Sequence, residues 1–303
     1  MYPTAGAEDR TKKTRFSKGR ASVSILRKWT RNSGLRNAAG QIRTLSFLVC
    51  RIRGFEGLVA SYAADPEGLC RFVRRGTAPL ADAVCAHGGT MDRVFAGGFS
   101  AFFDAPRETG DHTLKACECA AAMLAAVEEL NRRQAGAEPL RIGIGLNTGP
   151  AILGNFGTED RPHYAAVGRP AENADTRERL SATDGATLLV GHTTPRQTAR
   201  SFAFLQVDHF SDGEGDALPV SALLAPPLSC AHPKFLALKS FHAHMFEAFH
   251  ARNWSQARNL IAQCRALSGA NPVLYDFYLR RIAHYEANPP AADWNGILMP
   301  VQS

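Results

Sequence analysis

The 303-residue sequence predicts an α+β fold followed by a small all-α C-terminal module. Apolar runs of strand length, at Leu45–Val49, Phe99–Phe103 and Arg141–Leu146, recur between segments long enough for helices. Some strands follow each other directly, whereas others are separated by a helix, which is a mixture rather than a strict βαβ alternation. Past Pro226–Pro227 and Pro233 the strand texture stops and only helical segments follow.

Residues 1–43 read as a basic, mostly disordered tail whose one short apolar cluster runs from Val23 to Trp29. The body spans 44–225. After its first strand, Asp65–Pro66–Glu67 opens a helix to about Ala86, closed by Gly88–Gly89. Asp104–Ala105–Pro106 ends the strand at Phe99–Phe103, and Asp111 caps a long helix to about Arg133 with Leu114, Cys117, Ala121 and Leu124 on its apolar stripe. Arg141–Leu146 alternates as a strand, and Thr148–Gly149–Pro150 reads as a tight turn into Ala151–Leu153, giving a β-hairpin. A helix at about 171–181 and a strand at Thr187–Val190 complete the body. Residues 226–303 form a linker and three helices, about 234–251, 255–267 and 274–287, a TPR-like module too short to be a repeat array by itself.

Hydrophobic residues make up 45% and charged residues 21%, ordinary globular usage that excludes a wholly disordered chain. The longest apolar stretch, Cys119 to Val127, is half of what a membrane span needs, and the first 22 residues carry no apolar signal core. Seven scattered cysteines suit reduced thiols. The expectation is a soluble, cytoplasmic protein. Its net charge of +7 is unevenly placed: residues 1–43 carry +9 and the remainder −2. A nearly neutral body is no nucleic-acid-binding domain. The tail reads first as a solvated arm and second as a ligand for an anionic membrane surface or nucleic acid.

Several segments share the order and spacing of one family. They are Ile52–Arg53–Gly54–Phe55, His87-Gly88-Gly89-Thr90-Met91-Asp92-Arg93, Ala101–Pro106, Asp111–His112, and Leu140 to Asn155, which reads LRIGIGLNTGPAILGN. Over about residues 43–224 the chain resembles the class III adenylate/guanylate cyclase catalytic domain. The resemblance implies a ferredoxin-like sheet, mainly antiparallel, with helices. The C-terminal part, with Asn253–Ala257, Asn288–Pro290 and Asp293–Gly296, is similar to a tail that follows some bacterial cyclase domains.

What the resemblance implies about chemistry meets departures at both metal positions and at most of the partner-subunit positions. The family joins the 3′-hydroxyl of ATP or GTP to its own α-phosphorus using two Mg or Mn ions held by two aspartates of one subunit, hard oxygen donors suited to divalent cations. Here those positions are Arg51 and Gly97. The partner subunit's base-reading lysine corresponds to Arg93, and its base-reading Asp or Thr to Ala165, after Tyr164. The transition-state Asn and Arg, four apart on a helix, fall on Glu172 and Thr176 in an ungapped register from Gly168, or on Asn173 and Arg177 with one inserted residue. The ungapped register is favoured, since it keeps Ala171, Ala174 and Leu180 on the buried stripe, whereas the gapped one puts Glu172, Asp175 and Glu178 there. Glu56 adds a carboxylate at the helix start that would receive the triphosphate, where it satisfies free amides and repels polyphosphate.

Other conspicuous residues read as structural. Cys117 and Cys119 point to different helix faces, His242, His244 and His250 hold no i,i+4 pair, and Gly143 and Gly145 read as close packing rather than a phosphate loop. No cofactor or metal is expected. The function expected is a degenerate cyclase homologue, regulatory or partner-binding, in cyclic-nucleotide signalling. Its expected partner is another cyclase-type domain, as a heterodimer rather than a homodimer, because Arg51 and Arg93 would find carboxylates on an intact partner and none on a copy. Two alternatives stand: a weak or half-site adenylate/guanylate cyclase, and a metal-independent nucleotide or anion receptor using Arg51 and Arg93.

Overall fold

Strand β1 (Gln41–Ile52) is apolar on both faces because both are covered. Leu45, Phe47 and Val49 join Phe102, Leu153, Ala166 and Ala174 on one side. Leu48, Cys50 and Ile52 join Phe72, Leu80, Val84, Ala120 and Met123 on the other. The computed structural model describes residues 40–134, 138–160, 163–183, 186–210, 218–224, 232–267, 271–291 and Trp294. The expected tail to residue 39, the Pro226–Pro227 linker and most of the closing Asp293–Gly296 motif lie outside these residues. β1 starts three residues before the expected body, so Arg43, assigned to the tail, sits in the strand and pairs with Asp104 at 3.2 Å.

The remaining elements are α1 (Phe55–Ser61), α2 (Pro66–Ala86), β2 (Thr90–Phe95), β3 (Gly98–Phe103), α3 (His112–Arg133), β4 (Ile142–Asn155), β5 (Tyr164–Val167), α4 (Arg169–Thr183), β6 (Leu188–Gly191), α5 (Thr193–Thr198), β7 (Ala203–Phe210), β8 (Leu218–Leu224), α6 (Pro233–His250), α7 (Trp254–Ala266) and α8 (Pro272–Ala287). The sheet order is β2-β3-β1-β4-β6-β8-β7, with β5 also on β4. Only the β4–β6 pairing is parallel among these ladders. This is the mixed, mainly antiparallel α+β sheet the sequence predicts.

The expected turn at Thr148–Gly149–Pro150 is not there. β4 runs unbroken for 14 residues and pairs with β1 from Ile142 to Leu153. Pro150 survives mid-strand because of its parity. Arg53 donates its backbone N–H to Arg141, and Ile144 donates to Thr187 on the opposite side, so even-numbered β4 residues turn their N–H away from β1. There Pro150 lies between the stretches held by β6 and β5 and loses no ladder bond. The hairpin comes later, between β4 and β5.

Helix α3 also corrects the expected stripe. Its buried residues are Thr113, Ala116, Cys117, Cys119, Ala120, Met123 and Val127, about one position off the expected Leu114, Ala121 and Leu124, and Asp111 bonds Lys115 at 2.9 Å instead of capping. The small alanines and cysteines let α3 lie close to the sheet. The three C-terminal helices share one apolar cluster with the sheet: Phe235, Leu238, Met245, Phe249, Tyr275 and Tyr278 pack with Leu189, Leu205, Val207, Val220 and Ala222. Arg281 of α8 pairs with buried Asp208 of β7 at 3.2 Å. Among the described residues no helix is long and apolar enough to cross a membrane.

Candidate functional site

A cleft of about 590 Å³ opens between the end of β1, the β2–β3 hairpin, β5 and α4. Arg51, Arg93, Ala165, Glu172 and Thr176, five of the positions singled out in the sequence, line it. They converge because β1 and β5 both pair with β4, and α4 packs across β1 and β4.

Arg51 determines the character of the cleft. Its guanidinium reaches Asp175 with one nitrogen and Glu178 with the other, both on α4. Glu178 is wholly buried, and Arg53 Nη1 approaches its second oxygen at 2.9 Å. Arg53 Nη2 donates to the Glu178 backbone carbonyl at 3.0 Å and to Ser181 Oγ. Arg179 takes the free oxygen of Asp175 at 3.0 Å, and the Arg51 guanidinium lies 4.9 Å from the Phe95 ring centre. Burial opposes the Arg51 charge, but the hydrogen bonds it donates to Asp175 and Glu178 outweigh it and hold its pKa above the ordinary arginine value. Burial lowers that of Arg53, with Glu178 acting the other way.

Strand–helix contact makes this clasp fit. A side chain on Gly145 would strike the Ala174 carbonyl of α4, and one on Gly143 would strike the Arg53 guanidinium. Both glycines therefore serve close packing, as their sequence suggested.

Gly97 is not in the cleft lining. It sits in the β2–β3 turn at φ 73°, and a Cβ there would lie 2.6 Å from the Phe55 ring. Asn173 and Arg177 do not line the cleft either. Arg177 is buried, donates to the Asn173 carbonyl at 2.8 Å and lies 5.3 Å from the Phe210 ring centre. The ungapped register is thus the one whose residues line the cleft, although the premise that buried carboxylates disfavour the other needs correction. Glu178 is buried regardless, because Arg51 and Arg53 neutralise it. Correction also reaches Arg51 as an open anion contact: its guanidinium is engaged by carboxylates of its own chain. Arg93, with two thirds of its side chain exposed, makes a 3.2 Å contact to neighbouring Asp92.

Sequence reading missed Arg53, Asp175 and Glu178. Their signal was present: arginines two apart share one strand face, and acids three apart share one helix face. Glu56 stands exposed in the first turn of α1, whose Gly54 N-cap makes no side-chain hydrogen bond. His242 is buried, its Nε2 at 2.7 Å from the Gln206 carbonyl and Nδ1 at 3.1 Å from Tyr275 Oη, a packing role. Burial pushes the Cys117 and Cys119 thiols up to about 12, so both are inert at neutral pH.

The donors do not fit a pair of divalent cations. A guanidinium cannot ligate a cation and glycine has no side chain. Among the described residues no group of three or more His, Cys, Asp or Glu is placed to hold one.

Comparison with known proteins bears on the class. Residues 40–211, more than half of the chain, match the family described as the Adenylate and Guanylate cyclase catalytic domain. The chain belongs to that family. It is 30% identical over 131 residues to Adenylate cyclase 1 of Rhizobium meliloti (strain 1021), a stretch covering 43% of this chain and 20% of that relative. The guanylyl cyclase Cya2 is similar in structure with TM-score 0.55 and 27% identity over 63% of this chain and 99% of that one. The adenylyl cyclase CyaB from P. aeruginosa shares the fold, with TM-score 0.54 and 23% identity over 63% and 98%.

Proposed function

We propose that this chain is a cyclase-family domain that forms no cyclic nucleotide and acts by binding a partner in cyclic-nucleotide signalling. One observation carries the reading: at the position where the family resemblance implies a metal-binding aspartate stands Arg51, locked to Asp175 and Glu178. Gly97, the second such position, carries no donor. Glu172 and Thr176 face the cleft where the resemblance implies Asn and Arg, which speaks against the half-site cyclase alternative. The partner fitting these features is an intact cyclase-type domain rather than a second copy. With Arg51 balanced internally, exposed Arg93 offers a cation to a partner's carboxylates. Arg93 also favours a secondary reading, an anion or nucleotide receptor that needs no metal.

The test is incubation of purified protein with ATP or GTP and Mg²⁺ or Mn²⁺. No cyclic nucleotide above blank is expected, and Arg51→Asp alone should not change that, because Gly97, Ala165 and Glu172 still differ. Reproducible turnover by the homogeneous wild-type protein overturns the reading. Nucleotide binding without divalent cation, read by calorimetry, would favour the receptor.

A further inference from the structure

An apolar strip begins at Val167 on the edge of the cleft and runs across the sheet to the start of β1. Ile42 of β1, Ile152 of β4 and Val167 of β5 stand directly opposite one another across three strands. Directly opposed residues share a face, so the three β-branched side chains form one row. They are 77%, 50% and 50% exposed, each unusually open for an apolar strand residue. Beyond one end of the row, Glu159 and Asp160 are exposed in the β4–β5 loop.

We propose that this strip is a docking site for residues Val23–Trp29 of the same chain. Three observations select that occupant. The chain enters at Gly40, two residues from Ile42, where a Cβ would lie 3.8 Å from the Ile152 side chain. The ten residues between Trp29 and Gly40 span at most about 33 Å, ample reach, and a tether this short holds the segment at an effective concentration of the order of millimolar. Within residues 1–39 the one cluster of large apolar residues is Val23, Ile25, Leu26 and Trp29, and it carries Arg27 and Lys28 to meet Glu159 and Asp160. Residues 1–39 carry +8 against −1 for the remainder, which is the matching sign.

Docking in cis makes clear demands on the full-length protein. Replacing Ile25 and Leu26 together by serine should raise deuterium uptake across residues 150–154 and 164–168 several-fold and leave α3 unchanged. Conversely, Ile152→Asp should speed tryptic cleavage at Arg27 and Lys28 about tenfold; if that variant does not fold, the serine pair in the tail still decides. Unchanged uptake in the serine variant overturns the proposal. So does strip protection that grows with protein concentration, which makes a second copy the occupant. Protection that arises only with phosphatidylserine vesicles also overturns it, with the membrane as the segment's partner.

Discussion

Glu178 is wholly buried, with two guanidinium groups against its carboxylate. Removing one partner of such a buried pair costs about 3–5 kcal/mol. Arg51 keeps 31% side-chain exposure and Arg53 remains, so loss of the pairing costs roughly 2–3 kcal/mol and Arg51→Asp at least that, because its carboxylate also repels Glu178 and Asp175. The urea midpoint should fall accordingly, with Arg51→Lys in between, since an ammonium cannot serve two carboxylates as a fork does. A variant Arg51→Asp as stable as the wild type would show that the clasp is incidental. Adding Gly97→Asp brings separate strain of about 1–2 kcal/mol, because φ 73° disfavours a Cβ and Phe55 fills the space. At this scale the sequence was legible where one residue type determines the outcome. Gly143 and Gly145 are close-packing glycines, and Arg51 and Gly97 cannot ligate metal. The pairing of Glu178 was not legible, since Arg51 lies 127 residues earlier and only the fold brings them together.

Elements were legible where period and punctuation agree. Pro66 and Ala86 bound α2 as expected; the structure adds that Asn253 and Asn271 cap α7 and α8 by accepting hydrogen bonds from the Gln256 and Val273 backbone N–H groups. β4 was misread because Gly-Pro signals a turn, whereas strand parity makes Pro150 harmless, and parity is a property of the sheet. Helix α6 supports a pH expectation. Burial lowers the His242 pKa to about 4 against roughly 6.5 in an unfolded chain. His209 and His250, close by on β7 and α6, are lowered by burial too. The unfolded chain therefore binds more protons, so stability is fully present above about pH 6.5 and is lost as pH falls toward 4, by up to about 3 kcal/mol from His242. Urea titrations at pH 7 and 4.5 should show the loss. His242→Leu should reduce the difference while lowering stability at pH 7, because Tyr275 and the Gln206 carbonyl lose a partner. Equal midpoints at both pH values would refute the assignment.

Across the whole molecule, the C-terminal helices and strands β6–β8 close one apolar cluster, so the helices cover the sheet instead of trailing from it. The cleft half is open, with Phe156 and Val167 about half exposed at its edge beside Arg93 and Glu172. A surface with apolar rim and unspent charge is built to be covered. The family resemblance implies that each composite site draws residues from two chains. This chain would bring Arg51 and Gly97 to one site and Glu172 and Thr176 to the other, so a mixed pair would be silent at both. The expected outcome is therefore inhibition. Light scattering should find the isolated protein monomeric, and mixing with an intact cyclase domain from the same cell should give a one-to-one complex whose cyclic-nucleotide output falls toward zero as this chain is added. Salt should weaken the complex if Arg93 contributes, and Arg93→Glu should weaken it further through repulsion from the partner's carboxylates. A stable homodimer that ignores the active domain, or a mixture that makes more cyclic nucleotide than the partner alone, would exclude this mode of action.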